Sequence, residues 1–212
     1  MKVKVCGMRD ADNIRKVECL GIDMMGFIFW PKSSRYVYER PAYLPTKCKR
    51  VGVFVDQPIE EVAQIARDYA LDYIQLHGHE NPGFIRKLRS LCGDSIATIK
   101  AFNIATAADF EQTNAYHGLA DLFLFDTKGK SVGGNGEKFD WSLLSSYEGQ
   151  TPFLLSGGIG PDDVDGIKAL FSVGNTSVAA KCIGIDLNSR FETLPGMKDV
   201  DALRRFLSHL SH

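Results

Sequence analysis

Eight short apolar runs recur along the chain, and most are apolar at nearly every position rather than at every second one. Runs of that kind mark parallel strands covered on both faces. They fall at 3–6, 25–29, 51–55, 73–76, 96–101, 122–126, 153–156 and 183–187. Helical patterns lie between many of them. Asp12 reads as an N-cap ahead of Ile14, Val17 and Leu20, with Gly21 as the stop. Pro58, Pro82 and Pro161 each precede an apolar repeat of helical spacing, as a first helical residue does. Asp199 precedes Val200, Leu203, Phe206 and Leu210. The second unit shows little helical period over 36–47, and the sixth helix, over 141–147, must be short. Eight units in 212 residues leave roughly 26 residues each, near the minimum for a strand–helix repeat. The pattern predicts one α/β domain over residues 1–212, a single (β/α)8 TIM barrel with a parallel eight-stranded core. An open doubly wound sheet is the rival, but no GxGxxG follows the first strand.

Composition narrows the partners. A net charge of −1 gives no reason to expect nucleic acid or an anionic membrane. The longest clear apolar run, residues 24–30, is far shorter than the ~20 residues of a membrane span. No long apolar stretch follows the N-terminus, so no signal peptide is expected. The five cysteines are scattered, without CxxC or a Cys/His cluster, which fits a reducing cytoplasm and no structural zinc. The outer helices show no apolar stripe beyond what a core requires, so a monomer is expected.

In such a barrel the active site lies at the C-terminal ends of the strands. That rule places Cys6, Gln75, His77, Lys100, Asp126, Ser156 and Asp186 around one mouth. A free cysteine is usually a small buried apolar residue. Cys6, however, ends a strand a few residues before a helix, and a helix N-terminus stabilises a thiolate. Asp126 reads either as a cap or salt-bridge partner, or as a proton donor. Three apolar residues precede it, and a carboxyl against an apolar wall has a raised pKa. A stretch with four glycines, 127–136, follows it, where a mobile loop would lie. Gly157-Gly158 after strand seven and 186–189 after strand eight occupy the usual phosphate position of barrels. Taken alone, Arg35 is an ordinary loop arginine; as a functional residue it would grip a carboxylate bidentately. His77 reads as an acid–base group or a histidine satisfied by backbone, and Lys100 as a Schiff-base lysine or one half of an ion pair.

The order of short motifs resembles the phosphoribosylanthranilate isomerase family nearly end to end. Lys4-Val5-Cys6-Gly7 is similar to its opening motif, and Gly26-Phe27-Ile28-Phe29 with Ser33-Ser34-Arg35-Tyr36-Val37 to its second. Val51-Gly52-Val53-Phe54, Gln75-Leu76-His77-Gly78 and Lys100-Ala101-Phe102 resemble the third to fifth. Asp126-Thr127 with Gly133-Gly134-Asn135-Gly136 and Phe139-Asp140-Trp141 resembles the sixth, and Leu155-Ser156-Gly157-Gly158-Ile159 the seventh. Asp186-Leu187-Asn188-Ser189, Glu192, Pro195-Gly196 and Lys198-Asp199 resemble the last. The resemblance implies Cys6 as general base and Asp126 as general acid. It implies that Arg35 holds an anthranilate carboxylate, that Gly157, Gly158 and Ser189 bind phosphate, and that Asp186 lies beside the sugar. His77 carries over only as a site neighbour. One position departs: Arg190 stands where the family usually has glycine. If that glycine needs positive φ, Arg190 costs on the order of 1–2 kcal/mol of strain; alternatively it adds a cation for the phosphate.

The implied reaction is the Amadori rearrangement of N-(5-phosphoribosyl)anthranilate in tryptophan biosynthesis. The substrate's own nitrogen is the electron sink, so no cofactor and no metal is expected. The implied partner is a phosphorylated small molecule. A thiol pKa below its free value of ~8.5 is also expected. Two other readings stay open: a related phosphosugar isomerase or synthase barrel, and a non-catalytic barrel that binds a phosphometabolite.

Overall fold

The computed structural model describes residues 1–93, 95–126, 141–172 and 180–210. Eight parallel strands close into a barrel in sequence order: β1 (Lys2–Val5), β2 (Met24–Ile28), β3 (Lys49–Phe54), β4 (Tyr73–Leu76), β5 (Ala97–Asn103), β6 (Leu122–Asp126), β7 (Phe153–Ser156) and β8 (Cys182–Leu187). Every strand overlaps its expected run, and β4, β6 and β7 match it end for end. Closure comes from β8 pairing with β1, which sets Lys4 opposite Asp186.

Strand alternation divides the apolar residues into two layers. Met24, Val51, Ile99, Ala101, Leu122, Leu124 and Leu154 fill the barrel interior. Their strand neighbours Met25, Phe27, Phe54, Phe102, Phe123, Phe125, Phe153 and Leu155 pack outward with the helices. This double burial is why the runs are apolar at nearly every position.

The helices are α1 (Ala11–Glu18), α2 (Ile59–Asp68), α3 (Pro82–Cys92), α4 (Val164–Ser172) and α5 (Val200–Leu210). Asp10, not Asp12, caps α1 by accepting from the Asn13 amide, and Gly21 at φ 77° follows its end. Asn81 caps α3, with Pro82 as its first residue. Pro58 is the N-cap of α2 rather than its first helical residue. Pro161 starts a single 3-10 turn that leads into α4. Residues 29–48 hold no helix, as their weak periodicity predicts, and among the described residues of the sixth connection the helical element is a 3-10 segment, Trp141–Ser146.

One element lies outside the repeat pattern. A small antiparallel hairpin, β9 (Glu192–Leu194) and β10 (Met197–Lys198), follows β8. The Asn13 side chain fixes it, donating to the Lys198 carbonyl at 2.9 Å and accepting from the Lys198 amide at 2.8 Å. Among the described residues no helix is long and apolar enough to cross a membrane.

Candidate active site

Cys6 follows the last residue of β1, and its amide donates to the Leu187 carbonyl at 2.8 Å. Residues two apart share a strand face. Val3 and Val5 pack with the outer layer, so Lys4 and Cys6 share the inner face. A buried lysine there needs a carboxylate, and Asp186 supplies one at 2.9 Å. The Lys4 ammonium also lies within electrostatic range of the Cys6 thiol. Burial works against the charge on Lys4, but Asp186 and Cys6 outweigh it and raise its pKa. Burial likewise pushes the Cys6 thiol up; Lys4 and Lys198 pull it back, while Asp186 adds to the rise.

Two expectations for Cys6 are thereby corrected. The Cys6 thiol lies above its ordinary value, not below it, because burial outweighs the nearby lysines. Nor does the helix N-terminus serve it: Asp10 occupies that cap, and the amides of Gly7 and Met8 donate to the Gly26 carbonyl. Positive charge near the sulfur comes from lysines. Gly26 makes the room, since a Cβ there would stand 2.6 Å from the Cys6 sulfur.

Arg35 belongs to the same cluster. Its Nε and Nη2 grip the Glu192 carboxylate at 2.9 and 2.6 Å. Glu192 also accepts from Lys198 Nζ at 2.6 Å. Lys198 Nζ in turn donates to Asn188 Oδ1 at 2.8 Å. Arg35 is thus already paired with a protein carboxylate, which the sequence reading did not foresee. Its Nη1 edge has no hydrogen-bond partner among the described residues.

Across the mouth, Asp126 ends β6 on the inner face and is nearly buried. Of the apolar residues before it only Leu124 shares that face; Phe123 and Phe125 point to the helices. The apolar wall inferred from the run is therefore mostly behind the carboxylate. His77 Nε2 stands 3.7 Å from Asp126 Oδ2, and Gln75 Nε2 lies 3.1 Å from His77 Nδ1. Asp186 connects the two halves. Burial pushes its carboxyl up and Lys4 pulls it back, with His77 lowering it and Asp126 raising it further. Cys6, Lys4, Asp186, His77 and Asp126 thus form one electrostatic unit.

Lys100 is not part of it. Its neighbours Ile99 and Ala101 face the interior, so Lys100 faces the helices. There it donates to the Gly78 carbonyl at 2.7 Å and to Glu80 at 3.3 Å. A Schiff-base role has no route to the cavity.

Gly157 and Gly158 follow β7 with φ of 109° and 72°, conformations that glycine adopts and other residues avoid. Ser189 opens a 3-10 turn after β8. Beside the glycines lies a pocket lined by Trp141, Ile159, Asp162 and Asp163. Its two carboxylates, Asp162 and Asp163, disfavour an anion there, so the Ser189 side is the better place for one. Arg190 does not have positive φ, so the suspected strain is absent. Its Nε would lie 3.1 Å from a Cβ on Gly160. The glycine-rich stretch 127–136 lies outside the described residues.

Sequence reasoning missed Lys4, Lys198, Glu192 and Gly26 as parts of this site. Lys4 was findable: a lysine in phase with Cys6 on a buried strand must meet a buried carboxylate.

The family model described as N-(5'phosphoribosyl)anthranilate (PRA) isomerase matches residues 3–209. An N-(5'-phosphoribosyl)anthranilate isomerase of Phocaeicola vulgatus is 45% identical over 210 residues, covering 99% of this chain and 98% of that one. The solved phosphoribosyl anthranilate isomerase of Thermotoga maritima is 31% identical, with TM-score 0.81 over 100% of this chain and 98% of that one. A phosphoribosyl anthranilate isomerase in complex with reduced 1-(o-carboxyphenylamino)-1-deoxyribulose 5-phosphate is 28% identical, with TM-score 0.76 and the same coverage.

Proposed function

The chain belongs to the N-(5'-phosphoribosyl)anthranilate isomerase family, and from that premise we propose that it converts N-(5-phosphoribosyl)anthranilate to 1-(2-carboxyphenylamino)-1-deoxyribulose 5-phosphate in tryptophan biosynthesis. The observation that carries the mechanism is the sharing of one barrel mouth by Cys6 and Asp126, with Lys4 and Asp186 between them.

Asp126, protonated, donates to the furanose ring oxygen as the C1–O bond breaks. The aniline nitrogen lone pair completes an iminium. That cation acidifies the proton on C2, and the Cys6 thiolate removes it to leave an enolamine. Tautomerisation moves the enol proton to C1 and gives the ketone. The thiol then returns its proton, by way of solvent, to the Asp126 carboxylate, and the enzyme is reset. The iminium brings positive charge over a thiol that burial has pushed up, so ionisation becomes easier at the step that needs the base. Arg35, through its Nη1 edge, takes the anthranilate carboxylate. The amides of Gly157 and Gly158 and the hydroxyl of Ser189 take the phosphate. His77, with Gln75 behind it, orients Asp126, and Asp186 contacts the sugar. Fixing both ends of the substrate holds the two proton transfers in reach. The donors named here supply all the chemistry the rearrangement needs, with the substrate nitrogen as electron sink. A single catalytic domain over 1–212, a cytoplasmic location and a monomeric state complete the proposal; sedimentation at working concentration tests the last.

Incubating the purified chain with N-(5-phosphoribosyl)anthranilate and following the sugar carbons by NMR tests the reaction. The ketose carbon signal must appear at the enzyme's rate. Cys6→Ala and Asp126→Asn should each lower kcat by ~10²–10⁴-fold while KM changes little. Near wild-type turnover in Cys6→Ala would remove Cys6 as the base.

A further inference from the structure

We propose that Lys4, held on Asp186 beneath the thiol, is the positioning residue that supplies the counter-charge for the Cys6 thiolate. The inference rests on the reading of Cys6 as the base and asks what allows a buried sulfur to ionise.

The barrel interior around these residues is apolar: Met24, Val51, Ile99, Leu122, Leu124 and Leu154 fill it. Replacing a buried ion pair by apolar side chains of similar size is often neutral or stabilising. The Lys4–Asp186 pair is therefore a poor device for stability alone. Its placement has a second consequence. An ammonium has three donors, and among the described residues Asp186 is the one oxygen it meets, at 2.9 Å. The thiol two residues along lies on the same strand face, within the field of that ammonium. Backbone geometry fixes this arrangement, because Lys4 lies on β1, Cys6 directly follows it, and register with β8 sets Asp186 opposite Lys4.

The charges that face Cys6 come from four elements: Lys4 on β1, Asp186 on β8, Lys198 on β10 and Arg35 after β2. Glu192 on β9 binds both Arg35 and Lys198. Among the described residues three cations thus face two carboxylates, and one positive charge is left over for a thiolate. Lys198 is a poor source of it, since Glu192 at 2.6 Å and Asn188 Oδ1 at 2.8 Å hold its ammonium. Arg35 is held bidentately by Glu192. Of the three, Lys4 shares the strand face of the sulfur and acts on it most strongly.

The sign of each substitution follows. Lys4→Met removes the cation and leaves Asp186 to repel the thiolate. Asp186→Asn removes the competing anion and leaves Lys4 to the sulfur. A purely structural role for the pair gives no reason for opposite shifts.

Ultraviolet absorbance of the thiolate, taken as the difference from Cys6→Ala at each pH in substrate-free protein, reads the ionisation directly. The Lys4→Met midpoint should rise by about one pH unit or more, a tenfold loss of thiolate at fixed pH. Asp186→Asn should lower the midpoint, and Lys4→Arg should recover most of the wild-type value. In turnover, kcat of Lys4→Met should fall about tenfold near neutrality and recover as pH rises, with KM little changed. Midpoints that stay at the wild-type value, or that move the same way in both variants, overturn the proposal. If Lys4→Met does not fold, the Asp186→Asn titration decides. The titration needs no substrate, so its failure is separate from that of the base assignment, which active Cys6→Ala would reveal.

Discussion

Lys4 and Lys100 are both buried lysines near the same end of the barrel, each beside a carboxylate, yet they do different work. Lys4 faces inward, meets Asp186 at 2.9 Å, and keeps its charge beside a thiol. Lys100 faces outward, where Glu80 and the carbonyls of Gly78 and Leu76 surround it. Burial lowers the Lys100 pKa despite Glu80. Glu80 also accepts from the amides of Asp56 and Gly78, so this pair knots the turns after β3 and β4 to β5. The difference is one of strand parity. A step of one residue along a strand exchanges the cavity for the helix layer, and with it chemistry for architecture.

The largest effect that would break this comparison belongs to Lys100. Lys100→Met strands Glu80 in a buried site, and breaking such a pair costs about 3–5 kcal/mol. Urea unfolding should show that loss, while kcat of the folded enzyme stays near wild type. A kcat that fell as far as in Lys4→Met would mean both lysines serve the reaction, and parity would not separate them.

Gly26 sharpens the inward half of the contrast. A Cβ at this position meets the Cys6 sulfur at 2.6 Å and the Cys6 Cα at 3.1 Å, on a strand that cannot retreat. Gly26→Ala should cost about 1–3 kcal/mol through overpacking. It should also lower kcat by tenfold or more, because a thiol displaced by ~1 Å loses its line to the substrate carbon. Wild-type kcat in this variant would place the working sulfur elsewhere.

Acid separates the two regions by a smaller margin. Burial alone would raise the Glu192 pKa, but hydrogen bonds from Arg35 and Lys198 overcome it and lower the value. A carboxylate depressed on folding stabilises above its unfolded pKa, ~4.3, and that stability is lost as pH falls through the folded value. Glu192→Gln should therefore melt below wild type at pH 6 and converge on it below pH ~4.3. A constant difference across that range would show that Glu192 acts by shape rather than charge.

Much of this was legible in the chain. Continuous apolar runs give a doubly covered parallel sheet, and the positions of Cys6, Asp126 and Gly157-Gly158 at strand ends follow from it. The charged network was not. Arg35 and Glu192 are 157 residues apart, and Lys4 and Asp186 are 182 apart, so no local pattern joins them. Lys4 hides in a run that is otherwise apolar, and Lys100 turns away from the mouth because its neighbours Ile99 and Ala101 take the interior. The hairpin that carries Glu192 and Lys198 is too short for any periodic signal. Cap positions shifted by two residues at α1 because two aspartates compete there, and the one whose carboxylate meets the Asn13 amide wins.

The smallest effect tests the phosphate side, where charge is sparse. Arg190 lies over the Gly160 backbone, beside the turns of Gly157-Gly158 and Ser189, and is exposed. An exposed ion contact contributes ~0.2–1 kcal/mol and is weakened by salt. If Arg190 attracts the phosphate, Arg190→Gly should raise KM by about two- to fivefold at low ionic strength, leave kcat alone, and lose its effect in ~0.5 M salt. An unchanged KM would leave anion binding to the Gly157 and Gly158 amides and the Ser189 hydroxyl. Among the described residues the mouth would then be electrostatically one-sided, with its cations gathered around Cys6 and the carboxylate end of the substrate.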